Sequence, residues 1–274
     1  MTAAIASDLS DSLASAIASA SASIVHVAAR EHHGSTGTVW SADGAIVTAA
    51  HTVRRDDGIE VRFDDGSTAT ATLIGRDESA DVAVLRTDRK DLRTPQWRDT
   101  DGLRVGNIVL AAGRPGRSVR ATSGIVSAIG PEWRTQGGTR IDAFLDVDAS
   151  LPPGFSGGPL LDVRGAFVGL NTSHLVRRSG ATIPHATLTR IVDSILKHGS
   201  VTRPTLGVGI YPVEAGLLII SVQSGSAAER AGLLVGDIIR MHHRELRERI
   251  RDWEPGTKLE LTIVRGGEEK RVMV

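Results

Sequence analysis

Residues 43–66, DGAIVTAAHTVRRDDGIEVRFDDG, hold two short apolar runs at 45–49 and 59–63. Asp-Gly pairs open both runs, at Asp43-Gly44 and Asp57-Gly58, and Asp65-Gly66 closes the second. Runs of this length, rich in β-branched residues and bounded by Asp-Gly turns, read as β-strands joined by tight turns. The pattern extends outward to runs at 24–28, 37–40, 82–85, 107–112, 124–129, 143–147 and 166–171, with a further turn at Asp101-Gly102. Many short strands with no long helices between them predict an all-β sandwich or barrel and exclude a parallel α/β sheet.

At 186–198 (ATLTRIVDSILKH) the period changes. Leu188, Ile191, Val192, Ile195 and Leu196 share one helical face and Gly199 stands at the C-terminal stop, so a helix closes the first domain. Residues 200–204 then read as a linker. Beyond it, strands are expected at 206–211, 217–222, 237–241, 258–264 and 268–274. A short helix is expected at 226–231, and a charged helical stretch between Arg244 and Trp253. At the other end, residues 1–22 form an Ala/Ser-rich arm. Leu9, Leu13, Ile17 and Ile24 give it a weak helical stripe, expected to lie on the first domain as a short helix or frayed arm.

Composition narrows the chemistry. The chain has 274 residues, no cysteine and a formal net charge of zero. Two modest domains fit this length. Thiol nucleophiles, disulfides and thiolate metal sites are excluded, and bulk charge gives no reason to expect nucleic acid or an anionic membrane as partner. The N-terminus lacks a basic region and a continuous apolar stretch, so it reads as neither signal peptide nor membrane span. The sequence as given is therefore expected in the cytoplasm, or in the periplasm or outside the cell if a leader precedes it. His32-His33 and His242-His243 are adjacent pairs, which point apart on a strand and are solvated on a loop; no metal site is expected.

Three motifs carry catalytic chemistry. Gly154-Phe155-Ser156-Gly157-Gly158-Pro159-Leu160 places a serine between glycines, as a nucleophile on a tight turn requires. Its hydroxyl must project while nearby amides aim at a developing oxyanion, and glycine permits that backbone. Gly154, Phe155 and Ser156 form the expected oxyanion loop, the N–H groups of Gly154 and Ser156 its donors. Thr48-Ala49-Ala50-His51 sets a histidine at the end of an apolar strand, where a general base is held rigidly. Ala80-Asp81-Val82-Ala83-Val84-Leu85 puts a carboxylate at the mouth of another strand, which is costly to bury unless paired, and orienting a His pairs it. The order His51, Asp81, Ser156 is that of one established triad lineage.

The stretches SADGAIVTAAHTV, VRFDDGSTATATLIGRDESADVAVLRTD, LRVGNIVLAAGRPG, ATSGIVSAIG, DASLPPGFSGGPLLDVRGAFVGLNTS, PTLGVGIYP and SGSAAERAGLLVGDII resemble the HtrA/DegP-type serine proteases, a trypsin-like domain followed by a PDZ domain. The resemblance covers most of residues 23–274. It implies a mostly β, chymotrypsin-like double six-stranded β-barrel (23–200) and a small PDZ-like α+β domain (201–274), the latter shortened, with strand and groove helix compressed into 241–253. It implies ATP-independent endoproteolysis of unfolded or misfolded proteins by the triad, with no cofactor and no metal. It also implies a homotrimer, although the arm lacks the aromatic residues through which the family assembles.

By the same resemblance Ser150 forms the floor of the primary specificity pocket. Being uncharged, it implies cleavage after small or medium aliphatic residues. Leu170-Asn171-Thr172 is the implied edge that pairs with substrate backbone. Leu206, Gly207 and Val208 lie in the implied PDZ loop for a C-terminal peptide carboxylate, the following strand accepting the peptide by strand addition. Phe155 departs from the family, which usually carries Asn there. It also replaces the Asp that pairs with a new N-terminus in proteases activated by zymogen cleavage, so activation by loop ordering is expected. Competing readings are a catalytically silent protease-fold chaperone and a PDZ peptide-binding scaffold; the complete triad favours the endopeptidase.

Overall fold

The opening helix, α1 (Thr2–Ala20), lays Leu13, Ala16, Ile17 and Ala20 against Ile24, Leu110, Ala112, Leu161 and Phe167, while Leu9 stays exposed. The expected stripe is therefore shorter than its sequence pattern, and Ile24 belongs to the first strand. The computed structural model describes residues 2–29, 34–135, 137–175, 181–200, 205–253 and 256–274, and the chain divides into units 1–201 and 202–274.

Strands β1 (Ile24–Ala28), β2 (Ser35–Val39), β3 (Ala45–Ala49), β4 (Ile59–Arg62), β5 (Thr68–Asp77) and β6 (Val82–Thr87) close into an antiparallel barrel in the order β1-β2-β3-β6-β5-β4. Its apolar runs are continuous because β3 and β6 are buried on both faces. Ile46, Ala83 and Leu85 fill the barrel, whereas Val47, Val82 and Val84 face a second core.

Strands β7 (Ile108–Gly113) and β8 (Arg120–Gly130), a small ribbon of β9 (Trp133–Arg134) and β10 (Arg140–Ile141), then β11 (Phe144–Val147), β12 (Pro159–Asp162), β13 (Phe167–Thr172) and β14 (Ala181–Pro184) complete the β part of this unit. Six of them form a sheet in the order β11-β8-β7-β12-β13-β14 whose end strands lie against one another, giving a nearly closed barrel. Helix α2 (His185–His198) follows and buries Leu188, Ile191, Val192 and Ile195 among Val47, Val82 and Val84 of the first barrel and Leu170 and Ile183 of the second. Each such side chain contributes about 1.5–3 kcal/mol, so this core binds the two barrels firmly. Gly199, at positive φ, caps the helix by donating to the Ile195 carbonyl.

The second unit is a five-stranded antiparallel sheet, β15 (Val208–Val213), β16 (Gly216–Val222), β17 (Ile238–Ile239), β18 (Glu260–Arg265) and β19 (Glu268–Met273), in sequential order. Helices α3 (Ala227–Arg230) and α4 (His243–Asp252) complete it, packed on Leu217, Ile219, Ile239, Leu261 and Ile263. The compression expected here falls on β17, which has two residues, while α4 keeps ten. His242 caps α4 by accepting the Arg244 N–H at 3.3 Å. His32 and His33 lie outside the described residues.

Candidate active site

His51 sits on a single 3-10 turn (Ala50–Thr52) directly after β3. Its backbone N–H donates to Asp81 Oδ1 at 2.7 Å, and its Nδ1 lies 2.7 Å from Asp81 Oδ2. An ionised carboxylate can only accept, so Nδ1 carries the proton and Nε2 is left with its lone pair.

Asp81 immediately precedes β6 and is only 2 % exposed. Its φ of 57° lies in the left-handed region, a conformation Asp tolerates better than most residues but which still costs energy. Two groups of bonds hold it there. The Ala50 N–H donates to its carbonyl at 3.1 Å, and the ladder Ala49↔Val82 fixes the next residue. The Thr172 hydroxyl also donates to Oδ2, so the buried carboxylate receives three donors.

Ser156 lies on the turn leading into β12 and is 6 % exposed. The turn before it, residues 152–155, is closed by the Phe155 N–H donating to the Pro152 carbonyl at 3.0 Å. Pro153 at its second position fixes φ near −65°, and Gly154 at its third has φ 87°, the signature of a type II turn. Among the described residues the N–H groups of Gly154 and Ser156 have no acceptor. Gly157 has φ 88°, and a Cβ there would stand 2.0 Å from the Thr36 carbonyl oxygen, so no other residue fits.

Phe155 points away from the site into the second barrel. It is 2 % exposed and packs with Val109, Val126, Leu145, Leu160 and Val168. An apolar anchor thus stands where an ion pair to a chain terminus holds the turn in zymogen-activated proteases.

The hydroxyl of Ser156 is hydrogen-bonded to Ser173. The two Oγ atoms are 3.0 Å apart, and the Ser173 N–H donates to Ser156 Oγ at 3.2 Å. The next residue, His174, stacks its ring on that of His51. Beside this stack lies a cleft of about 470 Å³, lined by His51, Arg54, Arg76, Glu78 and His174 among others. Neither Ser173 nor His174 carries a signal in the sequence, since both are loop residues whose place is set by tertiary structure.

The implied substrate edge requires correction. Leu170, Asn171 and Thr172 are fully buried in β13, which pairs with β12 on one side and β14 on the other. Their backbone is committed to the sheet, and Thr172 serves Asp81 instead. Ser150, expected as a pocket floor, is exposed, its carbonyl accepting from the Thr122 hydroxyl at 2.6 Å.

In the second unit, Leu206, Gly207 and Val208 line a groove of about 590 Å³ with Ile210, Leu246 and Ile250. Strand β15 forms one wall and α4 the other, and β15 pairs only with β16 among the described strands.

Residues 35–170 match the trypsin-like peptidase domain family, and residues 204–274 the PDZ domain family. The chain is 34 % identical over 266 residues to a probable periplasmic serine endoprotease DegP-like of Brucella suis biovar 1 (strain 1330), covering 87 % of this chain and 51 % of that protein. It spans about half the length of the curated relatives it matches. Among solved structures, it matches the serine endoprotease from Yersinia pestis with TM-score 0.70 and 28 % identity over 96 % of each chain. The HtrA-type protease AlgW with tripeptide matches with TM-score 0.66 and 30 % identity over 95 % of each chain.

Proposed function

The chain belongs to the HtrA-type family of trypsin-like serine proteases that carry a PDZ domain, and from that premise we propose that it is a serine endopeptidase using His51, Asp81 and Ser156. The observation that carries the reading is the paired Asp81–His51 couple, with Nδ1 protonated, opposite a type II turn whose Gly154 and Ser156 amides are uncommitted. His51 Nε2 takes the proton of Ser156 Oγ as that oxygen attacks the scissile carbonyl. The oxyanion is met by the two amides, each such donor being worth about 10²–10³ in rate. The imidazolium, stabilised by Asp81, returns its proton to the leaving amine as the C–N bond breaks. Water then hydrolyses the acyl-enzyme by the same base.

The Ser156–Ser173 bond supports a resting state in which the nucleophile's hydroxyl is engaged by the loop and must be released as substrate binds. The proposed substrates are unfolded chains, and cleavage after small or medium aliphatic residues belongs to the same proposal, carried by the resemblance rather than by the exposed Ser150. The groove between β15 and α4 supports capture of a C-terminal peptide by strand addition, its apolar lining fitting an aliphatic last residue. Assembly as a homotrimer belongs to the same proposal and is tested by sedimentation. The cytoplasmic expectation is not supported, because relatives are named as periplasmic. We place the protein outside the cytoplasm.

The test is labelling with a fluorophosphonate, in the presence and absence of an unfolded casein, with Ser156→Ala as control. Labelling and casein cleavage that both vanish in Ser156→Ala support the reading. A wild-type chain that is never labelled and never cleaves defeats it.

A further inference from the structure

Thr36, the second residue of β2 of the first barrel, is fully buried and touches the oxyanion turn of the second barrel twice. Its hydroxyl donates to the Gly154 carbonyl at 2.6 Å, and its backbone N–H donates to the Ser156 carbonyl at 3.3 Å. The same hydroxyl oxygen accepts the Arg114 N–H at 2.8 Å. A hydroxyl has one proton, so with its oxygen engaged by that amide its own hydrogen is directed at Gly154.

The result is an alternation along the turn. The Gly154–Phe155 peptide is tied at both ends, its carbonyl to Thr36 and its N–H to the Pro152 carbonyl. The Ser156–Gly157 peptide is tied likewise, its carbonyl to the Thr36 N–H and its N–H to the Asn171 carbonyl at 2.8 Å. The N–H groups left over are those of Gly154 and Ser156, the two that would meet an oxyanion. Packing enforces the same arrangement. A Cβ on Gly113 would lie 3.0 Å from Thr36 Oγ1, one on Gly157 2.0 Å from its carbonyl oxygen, and one on Gly158 3.1 Å from its methyl group.

We propose that Thr36 is the positioning residue of the oxyanion hole: by gripping the carbonyls of Gly154 and Ser156 it aims their N–H groups at the substrate carbonyl. It touches no reacting atom and acts through the turn. This deepens the reading of Ser156 as nucleophile and rests on it. A donor pair displaced by about 1 Å costs on the order of 10²-fold in rate.

The experiment compares Thr36→Ala with Thr36→Ser, which differ by the hydroxyl alone, using the full chain, a peptide substrate and a peptide boronate that forms a tetrahedral adduct. In Thr36→Ala we expect kcat to fall about a hundredfold, KM to move less than threefold, and boronate affinity to fall in parallel with kcat. Thr36→Ser should lie within a few-fold of wild type on all three. Thermal unfolding of both variants reports folding. If Thr36→Ala does not fold, Thr36→Val, which keeps the volume, replaces it with the same expectations. A hydroxyl-free variant that folds and keeps wild-type kcat and boronate affinity overturns the proposal, as does Thr36→Ser failing to rescue. Wild-type protein that is not labelled at Ser156 instead overturns the underlying reading.

Discussion

The imidazole of His174 is stacked on that of His51, with ring centroids 5.0 Å apart and planes 20° from parallel. Together with the Ser173–Ser156 bond, two consecutive residues touch both members of the proposed proton-transfer pair. A hydrogen bond of this kind is worth about 0.5–1.5 kcal/mol net. Ser173→Ala should therefore speed fluorophosphonate labelling of Ser156 roughly 2- to 10-fold, and His174→Ala should raise kcat/KM for a short peptide in the same range. Slower labelling in Ser173→Ala would show that the contact assists the nucleophile.

Removing the third donor on Asp81 leaves a buried carboxylate oxygen short of one partner. Thr172→Val should destabilise the protein by about 1–3 kcal/mol, read from urea unfolding, and lower kcat. Thr172→Ser should restore both. An unchanged urea midpoint in Thr172→Val would count against the bond.

Phe155 anchors its turn by apolar burial, so Phe155→Ala should cost about 3–5 kcal/mol and depress kcat at temperatures where the variant is still folded. The same anchor makes the turn independent of the chain's start. Residues 6–12 are exposed, so deletion of residues 2–12 should leave kcat/KM within twofold. Activity that arises only after such a deletion would contradict the apolar anchor.

His26 is 8 % exposed, with its Nδ1 3.2 Å from the Arg114 carbonyl. Burial holds its pKa below the ordinary value of 6.5; the bond to the Arg114 carbonyl and Glu60 oppose this, while Arg62 and Arg114 add to it. Below pH 6.5 the unfolded chain takes up a proton that the folded chain resists. Stability from this residue is thus complete above 6.5 and is lost as pH falls from there through the lowered folded pKa. His26→Gln should flatten this part of a stability–pH curve measured by chemical denaturation. An identical slope in the variant would refute the assignment.

In the second unit, Ile250 of α4 lines the groove beside β15. Placing a carboxylate there should weaken a peptide with an aliphatic C-terminus by tenfold or more, since burying such a side chain is worth about 1.5–3 kcal/mol. Fluorescence anisotropy on the full-length Ile250→Asp variant measures this, and undiminished affinity would place the peptide elsewhere.

Strands β1 and β3 begin and end where their apolar runs do, and the pairing of His51 with Asp81 matches the expectation drawn from an acidic residue at the mouth of an apolar strand. Strand β5 left little trace. Its Thr/Ala alternation is mostly half-exposed, and its ladder with β6 shifts register between Leu73 and Gly75, so no apolar run marks it. Strands β12 and β14 are four residues each, one opening and one closing on a proline. The Leu170-Asn171-Thr172 edge failed because nothing in a strand's own sequence tells whether a short partner such as β14 covers it. Thr36 was invisible for a plainer reason: its hydroxyl reaches a carbonyl 118 positions away.

Helix α2 emerges from the last strand of one barrel and buries its apolar face against both. On the proposed mechanism His51 and Asp81 act from the first barrel and Ser156 from the second, so the contact that assembles the chemistry is non-covalent. The link across the exposed Asp101-Gly102 turn is then a tether whose scission need not separate the halves. Two fragments opened there should each be inert alone and regain the proposed hydrolysis on mixing, making the protein its own reporter of reassembly.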